Sequence, residues 1–283
     1  MLRKFAYQIN NSNWRINMLY AGVDIGSTTS KCILLDENGE ERAFGHIMTE
    51  FNRDVSGEKV LGEALVKAGA TVDDVAYIVS TGYGRKAFKR SNEDIPEIIA
   101  HAVGTERVVP GVRTIIDIGG QDSKTISISA NGTVERFEMN DKCAAGTGRF
   151  FEVLTHRLLG IEMDELSDLI LKSQHPIEIS SMCTIFAESE IISHLSQETP
   201  VEDIAAGTGC SIARRILSQS KSARIEMIEP IVFSGGAANN DGIRAIFEKL
   251  IGKPVIAAPR PQCTAAMGAA IRALKDAKKK VAQ

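Results

Sequence analysis

The sequence predicts an α/β protein of two domains in which one structural unit is used twice. An apolar strand followed by an aspartate and a glycine turn occurs at residues 20–27 and again at residues 114–121. Each is followed by a second apolar stretch and an Asn-Gly turn, at residues 38–39 and 131–132, which is a strong hairpin signal. Helical and strand patterns alternate elsewhere, as in an α/β fold. We therefore expect two related domains.

The composition is that of an ordinary globular protein. The chain has 283 residues, of which 43% are hydrophobic and 24% charged, and this length accommodates two domains of roughly 100–150 residues. A formal net charge of -3 argues against nucleic-acid binding. No apolar run approaches the ~18 residues of a membrane span. An odd number of cysteines and the lack of a secretory signal predict a reducing, cytoplasmic location.

The expected domain boundaries follow from the repetition. Residues 1–17 precede a second methionine, Met18, and we interpret them either as an upstream extension or as a native, poorly ordered arm. Residues 18–112 form the predicted first domain, and residues 113–262 form the second. The closing helix, within residues 263–283, is expected to pack back on the first domain.

Individual elements are predicted from periodicity and from start signals. The tetrapeptide at 199–202 (TPVE) has the pattern of a capping box with proline at the first helical position, and it predicts a helix start. The apolar run at 228–233 predicts a buried strand. We further expect helices at 55–69, 92–104, 147–160, 164–173, 184–196, 242–250 and 265–280, and strands at 75–79 and 255–258.

Two loops have the composition of a phosphate site. In residues 24–31 (DIGSTTSK), the glycine permits close approach of backbone N–H groups, the hydroxyl side chains supply donors, and Asp24 can hold Mg²⁺ directly or through water. Residues 117–124 (DIGGQDSK) offer the same parts. A single turn of this kind is often only a tight hairpin. Two of them, a domain length apart, indicate a shared phosphate site.

A third glycine-rich loop, residues 234–240 (SGGAANN), follows the predicted strand at 228–233. A Gly-Gly turn between a strand and a helix lets a flat ring lie against the backbone, and the helix N-terminus favours anions. A plain strand-to-helix turn has the same composition. Neither GxGxxG nor a P-loop pattern occurs in the three loops, which disfavours a Rossmann site and a Walker-type site.

Together the three loops resemble those of the actin, Hsp70 and sugar-kinase superfamily. The resemblance implies two duplicated βββαβ-type domains that close on ATP or ADP with Mg²⁺. The predicted nucleotide-binding residues are Gly26, Ser27, Thr28, Thr29, Lys31, Gly119, Gly120, Gln121, Gly146, Gly235, Gly236, Ala237 and Asn239. We expect Asp24 and Asp122 to hold Mg²⁺, directly or through water. Gln121 or Asp122 is the candidate for orienting the attacking water, with Glu190 as a further candidate.

Cys143 and Cys183 each stand in a small, polar segment before a predicted helix. A thiolate at a helix N-terminus is stabilised by the helix dipole and by free N–H donors. A cubane cluster takes four thiolates, so two such cysteines per chain suit one cluster on the twofold axis of a homodimer. On spacing alone, a small buried thiol is the simpler interpretation of each. The other three, Cys32, Cys210 and Cys263, are interpreted as structural.

Five motifs resemble one particular family. They are DIGSTTSK at 24–31, STGYGR at 80–85, IDIGGQDSK at 116–124, NDKCAAGTGRF at 140–150 and CTIFAESE at 183–190. These motifs are similar to those of the activators, or component A, of 2-hydroxyacyl-CoA dehydratases, within the BadF/BadG/BcrA/BcrD ATPase family. The similarity extends over nearly the whole chain, and the cysteine-bearing motifs are its most specific part.

The resemblance implies a homodimeric ATPase with one [4Fe–4S] cluster held by two cysteines of each subunit, which map onto Cys143 and Cys183. It implies that ATP drives one-electron reduction of a 2-hydroxyacyl-CoA dehydratase, component D, with a ferredoxin or flavodoxin as electron source. The alternatives are reduction of another partner, benzoyl-CoA reductase or a double-cubane-cluster protein, and a small-molecule kinase. Asn239 departs from the family pattern, in which a longer amide is expected.

Overall fold

The computed structural model describes residues 18–140, 143, 146–180 and 183–281. Within these residues the β-strands form two mixed sheets of five strands each. The strands are Leu19–Ile25 (β1), Thr29–Leu35 (β2), Glu41–Met48 (β3), Val75–Thr81 (β4), Glu93–Asp94 (β5), Thr114–Ile118 (β6), Ser123–Ile128 (β7), Val134–Asn140 (β8), Ile231–Ser234 (β9) and Val255–Ala257 (β10). Residues 1–17, the predicted extension, lie outside the described residues.

The helices pack on both faces of the two sheets. They are Arg53–Ala68 (α1), Glu97–Val108 (α2), Gly148–Glu152 (α3), Met163–Lys172 (α4), Thr184–Ser196 (α5), Val201–Ser222 (α6), Asp241–Ile251 (α7) and Thr264–Val281 (α8). The helix α3 continues without a break as a π-helix, Val153–Leu159. No helix in the described part of the chain is both long and apolar enough to cross a membrane.

The two sheets have the same topology. Their strand orders are β3-β2-β1-β4-β5 and β8-β7-β6-β9-β10. In each sheet the first three strands in sequence pair antiparallel, and the next two add in parallel on the far side of the first strand. The predicted duplication of a strand–hairpin unit is therefore confirmed.

Helices α2 and α8 lie between the sheets. Alanines of α8, such as Ala269, pack on Tyr20 and Val79 of the first sheet. Ala102 of α2 packs on Ile115 and other apolar residues of the second sheet. The helix α1 covers the outer face of the first sheet, and the outer face of the second is covered by the segment from α3 to α7. The domain boundaries at 112 and 262 remain a prediction.

Glycines allow α2 and α8 to cross with their backbones in contact. A Cβ built on Gly104 of α2 would lie 1.8 Å from the Thr264 carbonyl oxygen, and one built on Gly268 of α8 would lie 1.9 Å from the Ala100 carbonyl oxygen. Only a residue without a side chain fits at either position. The spacing of the two sheets therefore depends on this close crossing.

Three of the sequence predictions are wrong in detail. The helix predicted at 92–104 spans Glu97–Val108, and Glu93–Asp94 forms β5 instead. The helix predicted from the TPVE tetrapeptide begins at Val201, because Pro200 has an extended backbone and occupies the N-cap position without a side-chain cap. Thr199 contacts His194 instead of capping the helix. The strand predicted at 228–233 begins only at Ile231, since proline at position 230 has no N–H for a ladder bond.

Candidate functional site

A cleft of about 560 Å³ opens between the loop ends of the two sheets. Both phosphate-type loops, the loop after β9 and the turn before α8 contribute to its wall. Of the predicted site residues, the following line it: Asp24, Thr28, Thr29, Lys31, Gly119, Gly120, Gly235, Gly236, Ala237 and Asn239. The tertiary structure therefore brings the three glycine-rich loops together on one cavity.

Six of the residues predicted to bind the nucleotide, Mg²⁺ or the attacking water do not line this cleft: Gly26, Ser27, Gln121, Asp122, Gly146 and Glu190. Gly26 closes the first loop, where an added Cβ would lie 2.7 Å from the Thr29 carbonyl oxygen. The Glu190 carboxylate accepts a hydrogen bond from the backbone N–H of Ser180 at 2.6 Å. Gln121 is exposed. Gly146 lies beside Arg215, at a second, smaller pocket.

The two phosphate-type loops occupy equivalent positions in the two sheets. Asp24 on β1 pairs with Lys31 on β2, and Asp117 on β6 pairs with Lys124 on β7. The two loops also touch, because a Cβ built on Gly120 would lie 2.3 Å from Thr28 Oγ1. A polyphosphate bound between them would meet backbone and hydroxyl groups from both sides.

Asp24 is a buried carboxylate with unused bonding capacity. Its Oδ2 lies 3.4 Å from Lys31 Nζ. Its Oδ1 is buried without a hydrogen-bond partner among the described residues. Burial raises the pKa of Asp24, and the nearby Lys31 opposes this only in part. A buried carboxylate oxygen of this kind suits a hydrated hard cation such as Mg²⁺.

A network of buried charges surrounds Lys124, which is 1% exposed. Its Nζ lies 2.8 Å from Asp122, 3.0 Å from Glu97 and 3.3 Å from Asp117. The three carboxylates hold the pKa of Lys124 well above its usual value, although burial favours the neutral amine. Burial raises the pKa of Asp122 despite the ion pair. Asp122, a predicted Mg²⁺ and water-orienting residue, is therefore engaged in an ion pair.

Glu97 and His101, on the first turns of α2, are functional candidates that the sequence analysis missed. Both line the cleft. His101 Nε2 lies 3.5 Å from Glu97 and 3.8 Å from Asp117. Burial opposes ionisation of Glu97, but Lys124 and His101 outweigh it and lower the pKa of this carboxyl. No motif surrounds either residue, so only their position beside both phosphate-type loops distinguishes them.

The first turn of α3 is bonded to the second phosphate-type loop. The Gly148 N–H donates to the Gly119 carbonyl and the Arg149 N–H donates to the Gly120 carbonyl, each at 2.8 Å. Free N–H groups at a helix start normally need such partners. A displacement of this loop by a bound nucleotide would therefore be transmitted directly to α3.

The segments that carry Cys143 and Cys183 meet beside Arg215 of α6. Cys183 is the N-cap residue of α5 and lines a small pocket together with Gly146 and Arg215. Asn140 Nδ2 donates to the Cys143 carbonyl oxygen at 3.0 Å and also lies close to Gly146. Both cysteines are partly exposed and free. Residues 141, 142, 144, 145, 181 and 182 lie outside the described residues.

Of the other cysteines, Cys32 and Cys263 are buried, whereas Cys210 is partly exposed, as Cys143 and Cys183 are. Burial raises the pKa of the Cys263 thiol to about 11 and also raises the pKa values of Cys32 and Cys210. Thiols that resist ionisation are poor metal ligands. No group of three or more metal-ligating side chains occurs among the described residues.

Comparison with known proteins identifies close relatives. Residues 21–273 match the model of the BadF/BadG/BcrA/BcrD ATPase family. The 2-hydroxyisocaproyl-CoA dehydratase activator of Clostridioides difficile is 41% identical over 92% of this chain and 97% of the relative. The (R)-2-hydroxyglutaryl-CoA dehydratase activating ATPase of Acidaminococcus fermentans is 39% identical over 91% and 98%. A benzoyl-CoA reductase component of Thauera aromatica is 30% identical over 79% of each chain.

Solved structures support the same comparison. The activator of the 2-hydroxyisocaproyl-CoA dehydratase from Clostridium difficile with bound ADPNP has a TM-score of 0.87 and 40% identity, over 94% of this chain and 97% of that chain. A ROK family glucokinase from Streptomyces griseus, at 17% identity and a TM-score of 0.53 over 91% and 99%, shares the fold alone. The predicted actin/Hsp70/sugar-kinase-like fold is confirmed.

Proposed function

Because the chain belongs to the BadF/BadG/BcrA/BcrD ATPase family, we propose that it is an ATP-driven activator of a 2-hydroxyacyl-CoA dehydratase. In this proposal a homodimer holds one [4Fe–4S] cluster and passes single electrons to the dehydratase. ATP hydrolysis to ADP and phosphate drives the change between two conformations. A ferredoxin or flavodoxin re-reduces the protein, and the cytoplasm is the proposed location.

The cleft supports the nucleotide part of the proposal. Residues that follow strands of both sheets line the cleft, so a bound nucleotide can contact both halves of the molecule at once. Such a ligand stabilises a closed conformation to the extent that it makes contacts there that an open conformation lacks. Backbone N–H groups of the two glycine turns and the hydroxyls of Thr28 and Thr29 suit a polyphosphate. The relative with bound ADPNP has the same fold at 40% identity.

The hydrolytic step needs a side chain near the terminal phosphate that orients the attacking water or accepts its proton. We propose Glu97 for this role, in preference to Gln121, Asp122 and Glu190. Glu97 lines the cleft, and its ion pair with Lys124 holds the side chain in place. Asp24 would hold Mg²⁺ through water, as its buried and unbonded Oδ1 suggests.

Cys143 and Cys183 fit the proposed cluster by donor type and by number. Their segments meet beside Arg215, and two thiols per chain need a second copy to make four. When bound, the cluster supplies a one-electron carrier. Cys183 is the N-cap residue of α5, where the backbone N–H groups of the first helical turn can donate to a bound anion or sulfur.

The connection between α3 and the second phosphate-type loop is the observation that supports the proposal most strongly. The helix α3 follows the Cys143 segment, and its first N–H groups bond the carbonyls of Gly119 and Gly120 in the phosphate-type loop. A nucleotide-dependent movement of this loop therefore reaches the proposed half-site through two hydrogen bonds. A small-molecule kinase has no need of this connection.

The partner is proposed from similarity. The dehydratase activators are about 40% identical to this chain, whereas the benzoyl-CoA reductase component is 30% identical. A dehydratase is therefore the preferred electron acceptor, and a benzoyl-CoA reductase is the alternative. The reduced protein and ATP are mixed anaerobically with each purified partner, and absorption spectroscopy monitors the reduction of that partner. Faster reduction of the dehydratase supports the preferred acceptor, and faster reduction of the benzoyl-CoA reductase supports the alternative.

Anaerobic purification tests the cluster directly. We expect about four irons per dimer, from the composition of a cubane, and an absorption band in the visible range. Cys143→Ser and Cys183→Ser should each lose the iron while retaining nucleotide binding, and Cys210→Ser, the matched control, should keep it. A colourless anaerobic protein with full ATPase activity would contradict the proposal.

A further inference from the structure

We propose that Asn239 and Gln262 form a paired amide reader that selects adenine over bases with an oxygen at position 6. This inference rests on the proposed nucleotide-binding function and assigns the residues that recognise the base. Gln262 is not part of any motif in the sequence, and it enters only because the folded chain brings it beside Asn239.

Both side chains line the cleft from adjoining turns. Asn239 ends the short 3₁₀ turn Gly236–Asn239 after β9, and Gln262 lies in the turn Pro261–Cys263 before α8. The Gly235 N–H donates to the Pro261 carbonyl oxygen at 3.0 Å. The two turns are therefore held together through their backbones, independently of the two amides.

Hydrogen bonds determine the orientation of both amides. Asn239 Nδ2 lies 3.1 Å from the Gly236 carbonyl oxygen, which can only accept a hydrogen bond. The second Nδ2 hydrogen is directed to Gln262 Oε1, at 3.3 Å. Both hydrogens of Asn239 Nδ2 and the Gln262 Oε1 acceptor are used in these two hydrogen bonds. The Asn239 Oδ1 acceptor and the Gln262 Nε2 donor are left available to a ligand. Neither atom has a protein partner within the described part of the chain.

An acceptor beside a donor matches one edge of adenine. Adenine presents the N6 amino group as donor and N7 as acceptor, and amide side chains pair with this edge. Guanine and hypoxanthine have an O6 acceptor there, which would face the Asn239 Oδ1 acceptor. A Cβ built on Gly236 would have open space around it, so a flat ring can lie close to this backbone.

The test compares binding of ADP and inosine diphosphate to the intact chain, with Mg²⁺, by calorimetry. The two ligands differ at the base edge and share the ribose and both phosphates. We expect the wild type to prefer ADP by about ten-fold or more. Asn239→Leu, which removes the acceptor facing the N6 amino group at similar volume, should weaken ADP binding about ten-fold and change inosine diphosphate binding less than three-fold. Gln262→Met, which removes the donor to N7, should weaken both ligands by a similar factor, because adenine and hypoxanthine both have N7 as an acceptor.

The matched control is Gln197→Met, at an exposed glutamine that ends α5 outside the cleft. It should leave both affinities unchanged. Equal weakening of both ligands by Asn239→Leu, or no weakening of either by Gln262→Met, with an unchanged melting temperature, would overturn the amide reader and leave the proposed ATPase intact. Absence of ADP binding to the wild type would overturn the proposed function and this inference together.

Discussion

Among single residues, Glu97 is the one proposed to act in ATP hydrolysis. Its carboxylate lies 3.0 Å from Lys124 and lines the cavity beside both phosphate-type loops. We expect Glu97→Gln to lower the rate of phosphate release about 100-fold, because a neutral amide cannot accept the proton of the attacking water. ADP affinity should change less than three-fold. Glu37→Gln, at an exposed position, is the control, and unchanged hydrolysis in Glu97→Gln would exclude this role.

His101 links stability to pH. The ring is buried against Glu97 of its own helix, Asp117 of β6, Lys124 of β7 and Thr264 of α8. Burial and Lys124 favour the neutral ring, but the two carboxylates outweigh them and raise the pKa of His101 above its usual 6.5. A raised folded-state pKa contributes stability that is fully present below pH 6.5 and is lost as the pH rises through the folded value.

We therefore expect His101→Gln to lower the free energy of unfolding more at pH 6 than at pH 9. Urea unfolding at the two pH values measures the difference. His156→Gln, at an exposed histidine, should show no such pH dependence. A larger loss at pH 9 than at pH 6 would show that the neutral ring, and not the charged one, is the stabilising form.

At the scale of elements, the crossing of α2 and α8 determines how closely the sheets approach. We expect Gly104→Ala to lower the free energy of unfolding by about 1–3 kcal/mol or more, because the new Cβ would meet the Thr264 carbonyl oxygen at 1.8 Å. Gly62→Ala in α1 should raise it by roughly 0.5–1 kcal/mol, since nothing lies within 4 Å and alanine favours the helix. Urea unfolding measures the free energy of unfolding of both variants. A change of the same sign in the two variants would contradict the packing interpretation.

Helix starts show where sequence rules hold and where they fail. Asn52 caps α1 through its side chain, which accepts from the backbone N–H of Asp54 and Val55, as the rules for N-caps expect. The capping box predicted before α6 does not form, because the helix begins one residue later and Pro200 takes the cap position. A four-residue pattern specifies a helix start only to within about a residue.

At the scale of the whole molecule, the proposed half-sites predict that iron and dimerisation depend on each other. Anaerobic treatment with an iron chelator should convert the dimer to monomers, because the four thiolates of the two subunits would no longer be joined through one cluster. ADP binding should persist, since the cleft is formed within one chain. Anaerobic sedimentation measures the change, and a dimer that survives complete iron removal would contradict the shared site.

Much of the site could be predicted from sequence because its parts are local. The two phosphate-type loops and the glycine-rich loop at 234–240 each contain most of their functional groups in one short segment. The fold brings the three loops to one cleft. Glu97, His101 and Gln262 could not be predicted in this way. Glu97 and His101 contact each other on α2, but Lys124, Asp117 and Thr264, their other partners, lie far away in sequence, as Asn239 does from Gln262. No local pattern therefore distinguishes these three residues.

Local sequence patterns are enough to predict the duplicated α/β unit, the phosphate-type loops and the two cysteine motifs, because turn chemistry and strand patterning act between near neighbours. The pairing of Lys124 with Glu97, and the bonding of α3 to the second phosphate-type loop, become visible only in the folded chain. The fold alone separates Gly146 and Glu190 from the nucleotide cleft. These outcomes depend on how buried charges and helix ends find partners across the fold, and such pairings have no period in the sequence.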